Sequence, residues 1–299
     1  MTGPERGFLL LSSHLGNPSR KPLSHAQLRT LAQRMQAMPQ PAEDRDLIPA
    51  DLISLGYGPK MAERIVSLLS EEDLLDHYLR RGKNCGCVPI TRVSPEYPQV
   101  LKEKLGYEAP GCLWAKGNLE ILKNSMISLV GSRDLNTRNA EFARETGRQA
   151  AIQGYTLVSG NARGADKTGQ EAALAAGGTV ISIVADALAE HTHRENMLYL
   201  SEDAFEEPFS AQRALSRNRC IHAMGEKVLV AQCSYQHGGT WDGSVKNLRF
   251  SWSPLFCFRD RSPAAELLHQ MGAELITISD VSNLNTLQSP EQNFLAGSP

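Results

Sequence analysis

Residues 127–185 read ISLVGSRDLNTRNAEFARETGRQAAIQGYTLVSGNARGADKTGQEAALAAGGTVISIVA, and their alternation decides the fold class. Ile127–Val130, Thr156–Val158 and Val180–Val184 are short apolar runs rich in β-branched residues, the composition of buried parallel strands. The first two runs end in the small-residue turns Gly131-Ser132-Arg133 and Ser159-Gly160-Asn161-Ala162-Arg163-Gly164-Ala165-Asp166, and a helix-patterned segment follows each. A strand feeding a glycine turn and then a helix presents free backbone N–H groups and a positive dipole end at the strand's carboxyl edge. Both turns also carry an arginine, and Lys167 follows the second. Two consecutive turns of this kind favour an anionic ligand over glycines that merely tighten the chain.

Neither turn is G-x-G-x-x-G, and the chain has no G-x-x-x-x-G-K-[ST]. The dinucleotide fingerprint and the Walker triphosphatase loop are therefore absent. A third basic element is Ala211–His222, where Arg213 and Arg217 are four apart and share a helical face while Arg219 points elsewhere. No acidic residue lies between Glu207 and Glu226, so the three arginines have no local ion-pair lattice and fit planar contact with phosphate oxygens.

With 299 residues and 41% hydrophobic content, the chain has room for two domains. Its mean hydropathy of −0.31 is that of a globular protein. No apolar run approaches the ~20 residues that cross a bilayer, and Phe8-Leu9-Leu10-Leu11 is too short for a signal-peptide core. A cytoplasmic protein without membrane contact is the expectation. The six cysteines include a lone C-x-C at Cys85/Cys87 and no second half of a zinc set, so reduced thiols and no metal are expected. The net charge of −2 argues mildly against a nucleic-acid partner, although local clustering overrides a total.

Outward from the deciding stretch, the pattern changes at Arg80–Asn84. Before it the chain reads as helical, with helices near Phe8–Ser13 and Ser24–Ala37, Ser24 as a cap, and a break at Pro39-Gln40-Pro41. Leu47–Val66 resembles the helix-hairpin-helix motif, whose hairpin glycines approach a DNA phosphate; here the hairpin residues are Gly56, Gly58 and Lys60. Beyond the boundary come short strands at Val88–Thr91, Cys112–Ala115, Lys227–Cys233, Pro254–Phe258 and Glu274–Ile278, with helices between them. The expected organisation is a helical domain over 1–84, an α/β Rossmann-like domain over 88–280 with helices on both faces of a mainly parallel sheet, and a disordered tail over 281–299.

The order VGSR, SG-x-A-R-G-A-D, AL-x-x-GG-T, S-E and R-N-R-x-I resembles the DprA (Smf) DNA-processing family. The S-P-E-Y-P within Ile90–Leu105 and L-W-A-K-G at 113–117 are similar to the lead-in of that family, so the resemblance covers about residues 88–280. It implies a non-catalytic Rossmann-like domain, without cofactor, that binds single-stranded DNA as a homodimer. Family members load a RecA-type recombinase during natural transformation. By the same resemblance the DNA pocket comprises Gly131, Ser132, Arg133, Ser159, Gly160, Arg163, Gly164, Lys167, Arg217, Asn218 and Arg219. Arg133 and Arg219 would supply charge, and Asp166 would orient the loop or an arginine.

The chain departs from that pattern after Val228–Val230. Where the family has a glutamate and S-G-[ST], this sequence has Gln232 and Gln236-His237-Gly238-Gly239-Thr240-Trp241. A divergent member is implied, and a nucleotide-sensing (SLOG-type) domain in signalling or phage defence is the alternative. The G-G-T of 238–240 is similar to part of the phosphoribohydrolase signature P-G-G-x-G-T-x-x-E, but the glutamate is missing, so no enzyme is expected. Trp241 and Trp252 fit either a core or base stacking.

Overall fold

The computed structural model describes residues 1–36 and 46–287. They form two compact units, Met1–Tyr97 and the segment beginning at Pro98. The first unit is helical: α1 (Gly3–Ser12), α2 (His25–Gln36), α3 (Pro49–Ser54), α4 (Pro59–Leu69) and α5 (Glu72–Asn84), followed by a short strand β1 (Val88–Thr91). α1 starts five residues earlier than the apolar pattern predicts, because the Thr2 N–H donates to Glu5 Oε2 at 2.5 Å and closes the first turn. Ser24 caps α2 through its hydroxyl, 3.3 Å from the Gln27 N–H. Leu23, Leu31, Leu52, Ala62, Ile65 and Leu68 make the core of these helices. The Pro39-Gln40-Pro41 break and the end of the predicted second helix at Ala37 lie outside the described residues.

In the second unit, α6 (Gln99–Leu105) and β2 (Cys112–Gly117) precede β3 (Met126–Val130), α7 (Thr137–Ile152), β4 (Thr156–Ser159), α8 (Ala165–Ala175) and β5 (Val180–Ile183). Then follow β6 (Met197–Ser201), α9 (Ala211–Met224), β7 (Lys227–Val230), α10 (Gly239–Phe250), β8 (Leu255–Phe258), α11 (Pro263–Gln270) and β9 (Glu274–Ile276). Within this unit the strands run β2-β6-β5-β4-β3-β7-β8-β9. Only β2 is antiparallel to its neighbour here, pairing Trp114 with Ser201 and Ala115 with Leu200; every other pair is parallel. β3 through β5 and β7 through β8 are buried along nearly their whole length, as strands covered on both faces must be. The fold is an α/β Rossmann-like sheet.

The chain winds outward from β3 through β4 and β5 to β6, then returns through α9 to lay β7 against the other side of β3. The loops after β3 and β7 therefore diverge, and in open sheets of this type that divergence opens a crevice at the strands' carboxyl ends. α7 and α8 pack as one pair and α9 and α10 as another, the right-handed crossovers in opposite directions placing the pairs on opposite faces. Two polar groups inside the unit fix α9: Ser128 Oγ donates to the Ile221 carbonyl at 2.5 Å, and Lys104 Nζ donates to the Gly225 carbonyl at 2.9 Å.

Two differences from expectation are instructive. The sequence reading does not include β6: Met-Leu-Tyr-Leu-Ser has no β-branched residue, and Tyr199 alone leaves its strand signal weak. Residues 281–286, assigned by sequence to a disordered tail, lie in the 3₁₀ turn Ser279–Thr286, whose Val281 and Leu284 are fully buried. Gln153 holds that turn, accepting the Leu284 N–H at 2.7 Å. The rest of the expected tail, 288–299, lies outside the described residues.

Candidate nucleic-acid cleft

The crevice at the switch between β3 and β7 is a cleft of about 410 Å³. Gly131, Ser132 and Arg133 enter it from the β3 turn, Ala162 and Asp166 from the β4 turn, and Arg217, Asn218 and His222 from α9. The fourth wall is the segment from Ser234 to Thr240 that leads into α10. The two glycine turns touch directly. The Ala165 N–H donates to the Ser132 carbonyl at 3.1 Å. Gly164 has φ +87°, and a Cβ there would lie 2.3 Å from the same carbonyl oxygen, so only glycine lets the turns meet.

Arg217 is the centre of the site. Its side chain is only 7% exposed, and its Nε has no hydrogen-bond partner. The guanidinium lies against Gly160, where a Cβ would come within 2.0 Å of Nη1; the missing side chain makes the space for it. Burial pushes the guanidinium toward neutrality, and the carboxylate of Asp166 opposes that most strongly. Asp166 is buried too: burial raises its carboxyl, while Arg217, the N–H groups of Ala162 and Gly160, and Arg133 act the other way. Asp166 Oδ2 accepts the Ala162 N–H at 3.1 Å, so this carboxylate shapes the β4 turn. A desolvated cation that lines a cleft and whose donors are not all engaged can take an oxyanion, which gives charge-assisted hydrogen bonds that water does not weaken.

The other basic residues are used differently. Arg133 is exposed at the cleft wall. Arg163 is exposed and pairs with Asp134 at 2.5 Å. Arg219, expected to supply charge, does not line the cleft: it pairs with Glu202 at 2.6 Å and donates to the Glu108 carbonyl at 3.0 Å. Arg213, on the same helical face as Arg217, pairs with Glu207 and Asp203. Ser159 is buried and accepts from Gln170 Nε2 at 2.7 Å, inside the sheet layer; Lys167 is exposed away from the cleft lining. Asn218 Nδ2 donates to the Gly239 carbonyl at 3.1 Å and ties α9 to the head of α10.

One cleft residue, His222, is not singled out by the sequence reading. His222 is 1% exposed, its Nδ1 lacks a partner, and burial pushes its pKa down to about 3, so it is a neutral imidazole. The signal was present, since Ala211, Leu215, Asn218 and His222 follow the helical stripe that faces the cleft. Gln232 is a brace: it accepts the Asn136 N–H at 3.2 Å and donates to the Asp134 carbonyl at 3.2 Å, holding the β3 turn. Trp252 belongs to the core, stacked on Phe250, whereas Trp241 is partly exposed.

In the helical unit, α3 and α4 pack against each other across a short hairpin. Gly56 has φ +84°, the Tyr57 N–H donates to the Leu52 carbonyl at 3.1 Å, and the Arg34 guanidinium lies 4.3 Å over the Tyr57 ring. Gly56, Gly58 and Lys60 are all exposed. Among the described residues no helix is long and apolar enough to cross a membrane, and no cluster of three or more His, Cys, Asp or Glu is arranged to hold a metal ion.

A family model described as DNA recombination-mediator protein A matches residues 89–284. The DNA processing protein DprA of Bacillus subtilis (strain 168) is 29% identical over 176 residues, covering 55% of this chain and 57% of that protein. The DNA processing protein DprA of Streptococcus pneumoniae is 30% identical over 198 residues, 60% of this chain and 68% of that one. The chain thus matches little more than half the length of the first of these relatives. Among solved structures, DNA processing protein A from Streptococcus pneumoniae superposes with a TM-score of 0.71 at 22% identity, covering 94% of this chain and 97% of that one. DNA processing protein A from Helicobacter pylori, described for its single-stranded DNA binding mode, gives a TM-score of 0.55 at 20% identity over 66% of this chain and 94% of that one. Both share the fold.

Proposed function

The chain belongs to the DNA recombination-mediator protein A family, and we propose on that premise that it binds single-stranded DNA through the cleft, without catalysis. One observation carries this reading: Arg217, a buried arginine whose Nε has no hydrogen-bond partner, lines the same cleft as the Gly131–Arg133 turn. A backbone phosphate placed there would neutralise the guanidinium and receive N–H groups from the turn, with Arg133 closing over it. The relative from Helicobacter pylori is described by its mode of binding single strands, and it has the same fold. Gly56, Gly58 and Lys60 would offer a second backbone contact from the helical unit. A RecA-type recombinase and a second copy of the chain are the protein partners that go with this role, in the cytoplasm.

Fluorescence anisotropy with a labelled single-stranded oligonucleotide tests the proposal. Arg133→Ala should weaken binding about tenfold and flatten the slope of log K against log salt by about one. Arg219→Ala, which removes an arginine held by Glu202 outside the cleft, should change affinity less than about threefold. Unchanged affinity in Arg133→Ala would sink the reading, and tight binding of a free mononucleotide without any binding of the oligonucleotide would favour a nucleotide sensor.

A further inference from the structure

In the stretch that departs most from the family pattern, an aromatic pair flanks the cleft residues His237–Thr240, and a site reading phosphate alone has no use for it. Tyr235 is 49% exposed and Trp241 is partly exposed; their ring centroids lie 6.2 Å apart at a tilt of 48°. Between them the chain runs Gln236-His237-Gly238-Gly239-Thr240, of which His237 to Thr240 line the cleft. The loop is held in place: His237 Nδ1 lies 2.9 Å from the Tyr235 carbonyl, and Asn218 binds the Gly239 carbonyl. Leu215 of α9 lines the cleft beside Gly239 and is 49% exposed. Aromatic side chains next in sequence to the residues that line one wall of a cleft holding a buried cation match a ligand with a flat unsaturated part next to its anionic part.

We propose that Tyr235 and Trp241 form a stacking platform for a nucleobase of the strand whose phosphate sits at Arg217. The inference rests on the phosphate reading above and adds a second contact of different chemistry: the π-faces of the rings meet the face of a base, with no demand on its identity. The protein therefore recognises the strand by its bases as well as its backbone. Trp114 and Trp252 are buried, so a fluorescence change on binding reports mainly on Trp241.

The test compares two oligonucleotides of equal length and charge, one with bases and one of abasic deoxyribose phosphates. Tyr235→Ala and Trp241→Ala should each lose about tenfold in affinity for the strand with bases. Both variants should keep the native affinity for the abasic strand, and Trp241→Phe should recover most of the loss. The native protein should show tryptophan quenching with the first strand and none with the second. Native-like binding of both strands by Tyr235→Ala and Trp241→Ala, with no quenching, overturns the platform while leaving the phosphate site standing. Failure of the native protein to bind either strand overturns the phosphate reading, and the platform falls with it.

Discussion

Arg20 in the helical unit and Arg217 in the sheet unit are both buried, at 6% and 7% exposure, yet their guanidinium groups stand in opposite situations. Arg20 donates to the carbonyls of Ser13 and Leu10 and, more weakly, to that of Leu68 at 3.4 Å, and it pairs with Glu71 at 2.5 Å. It joins the end of α1, the end of α4 and the start of α5 through groups that would otherwise be left without partners. Arg217 has no such set. Its Nε is unpartnered, and its principal counter-charge, Asp166, is already engaged by the Ala162 N–H. Burial alone does not separate a structural arginine from one that reads a ligand. The saturation of its donors does.

Replacing each arginine by methionine, which keeps much of the volume, gives the largest contrast. Arg20→Met strands several backbone carbonyls and the Glu71 carboxylate, and should cost about 3–5 kcal/mol in urea unfolding. The folded fraction should bind an oligonucleotide as before. Arg217→Met removes a desolvated charge whose donors are not all engaged but leaves the buried Asp166 carboxyl, which burial already raises, without its main counter-charge; the cost should stay below that of Arg20→Met, under about 3 kcal/mol. Oligonucleotide affinity should fall about 10- to 100-fold, the loss of charge-assisted hydrogen bonds to phosphate. If Arg217→Met unfolds the protein as severely as Arg20→Met, the comparison fails.

His222 extends the contrast to a second under-partnered group at the cleft. Its folded pKa of about 3 lies below the ordinary value of 6.5, and burial is the sole cause. The depressed value means that the fold holds the neutral imidazole, whereas the unfolded chain takes a proton near pH 6.5. The stabilisation is therefore fully present above pH 6.5 and is lost as pH falls toward 3, on the order of 4 kcal/mol. Urea titrations between pH 7 and 3.5 should show a steeper loss for the native chain than for His222→Phe. Equal slopes in the two proteins would show that the imidazole is not held neutral at the cleft.

Much of the sheet was legible because β3, β4 and β5 are β-branched runs closed by glycine turns, a pattern that depends on neighbours in sequence. The roles of the arginines were not legible for the opposite reason. Glu202 lies 17 residues from Arg219, the Glu108 carbonyl lies 111 away, and Asp134 is 29 from Arg163. An absence of acidic residues between Glu207 and Glu226 therefore says little about which arginines are free, since β6 and the α6–β2 connection bring their partners from afar. Of the three arginines on α9 only Arg217 lines the cleft, with the stripe Ala211, Leu215, Asn218, His222 turning that side of the helix inward. The geometry of the glycine turns, by contrast, is local, and Gly131–Arg133 stands where the strand pattern places it.

The smallest effect is expected at the exposed pair between Arg163 and Asp134, and it asks whether rim charges matter once Arg217 is satisfied. Their side chains are 75% and 84% exposed, so the pair contributes little to folding, about 0–1 kcal/mol. On the proposed reading, a DNA strand entering the cleft would meet the Asp134 carboxylate as a like charge and would find Arg163 already occupied. Asp134→Asn removes the repulsion and releases the guanidinium, so affinity for a single strand should rise about two- to threefold at low ionic strength. Screening should erase the gain near 0.5 M salt, where the Debye length, between roughly 3 Å at 1 M and 10 Å at 0.1 M, falls below the reach of an exposed side chain. A gain that persists in high salt would place Arg163 in direct, partly desolvated contact with phosphate, alongside Arg217. No gain at any salt would leave Arg163 outside the strand's path, with the backbone read by Arg217 and Arg133 alone.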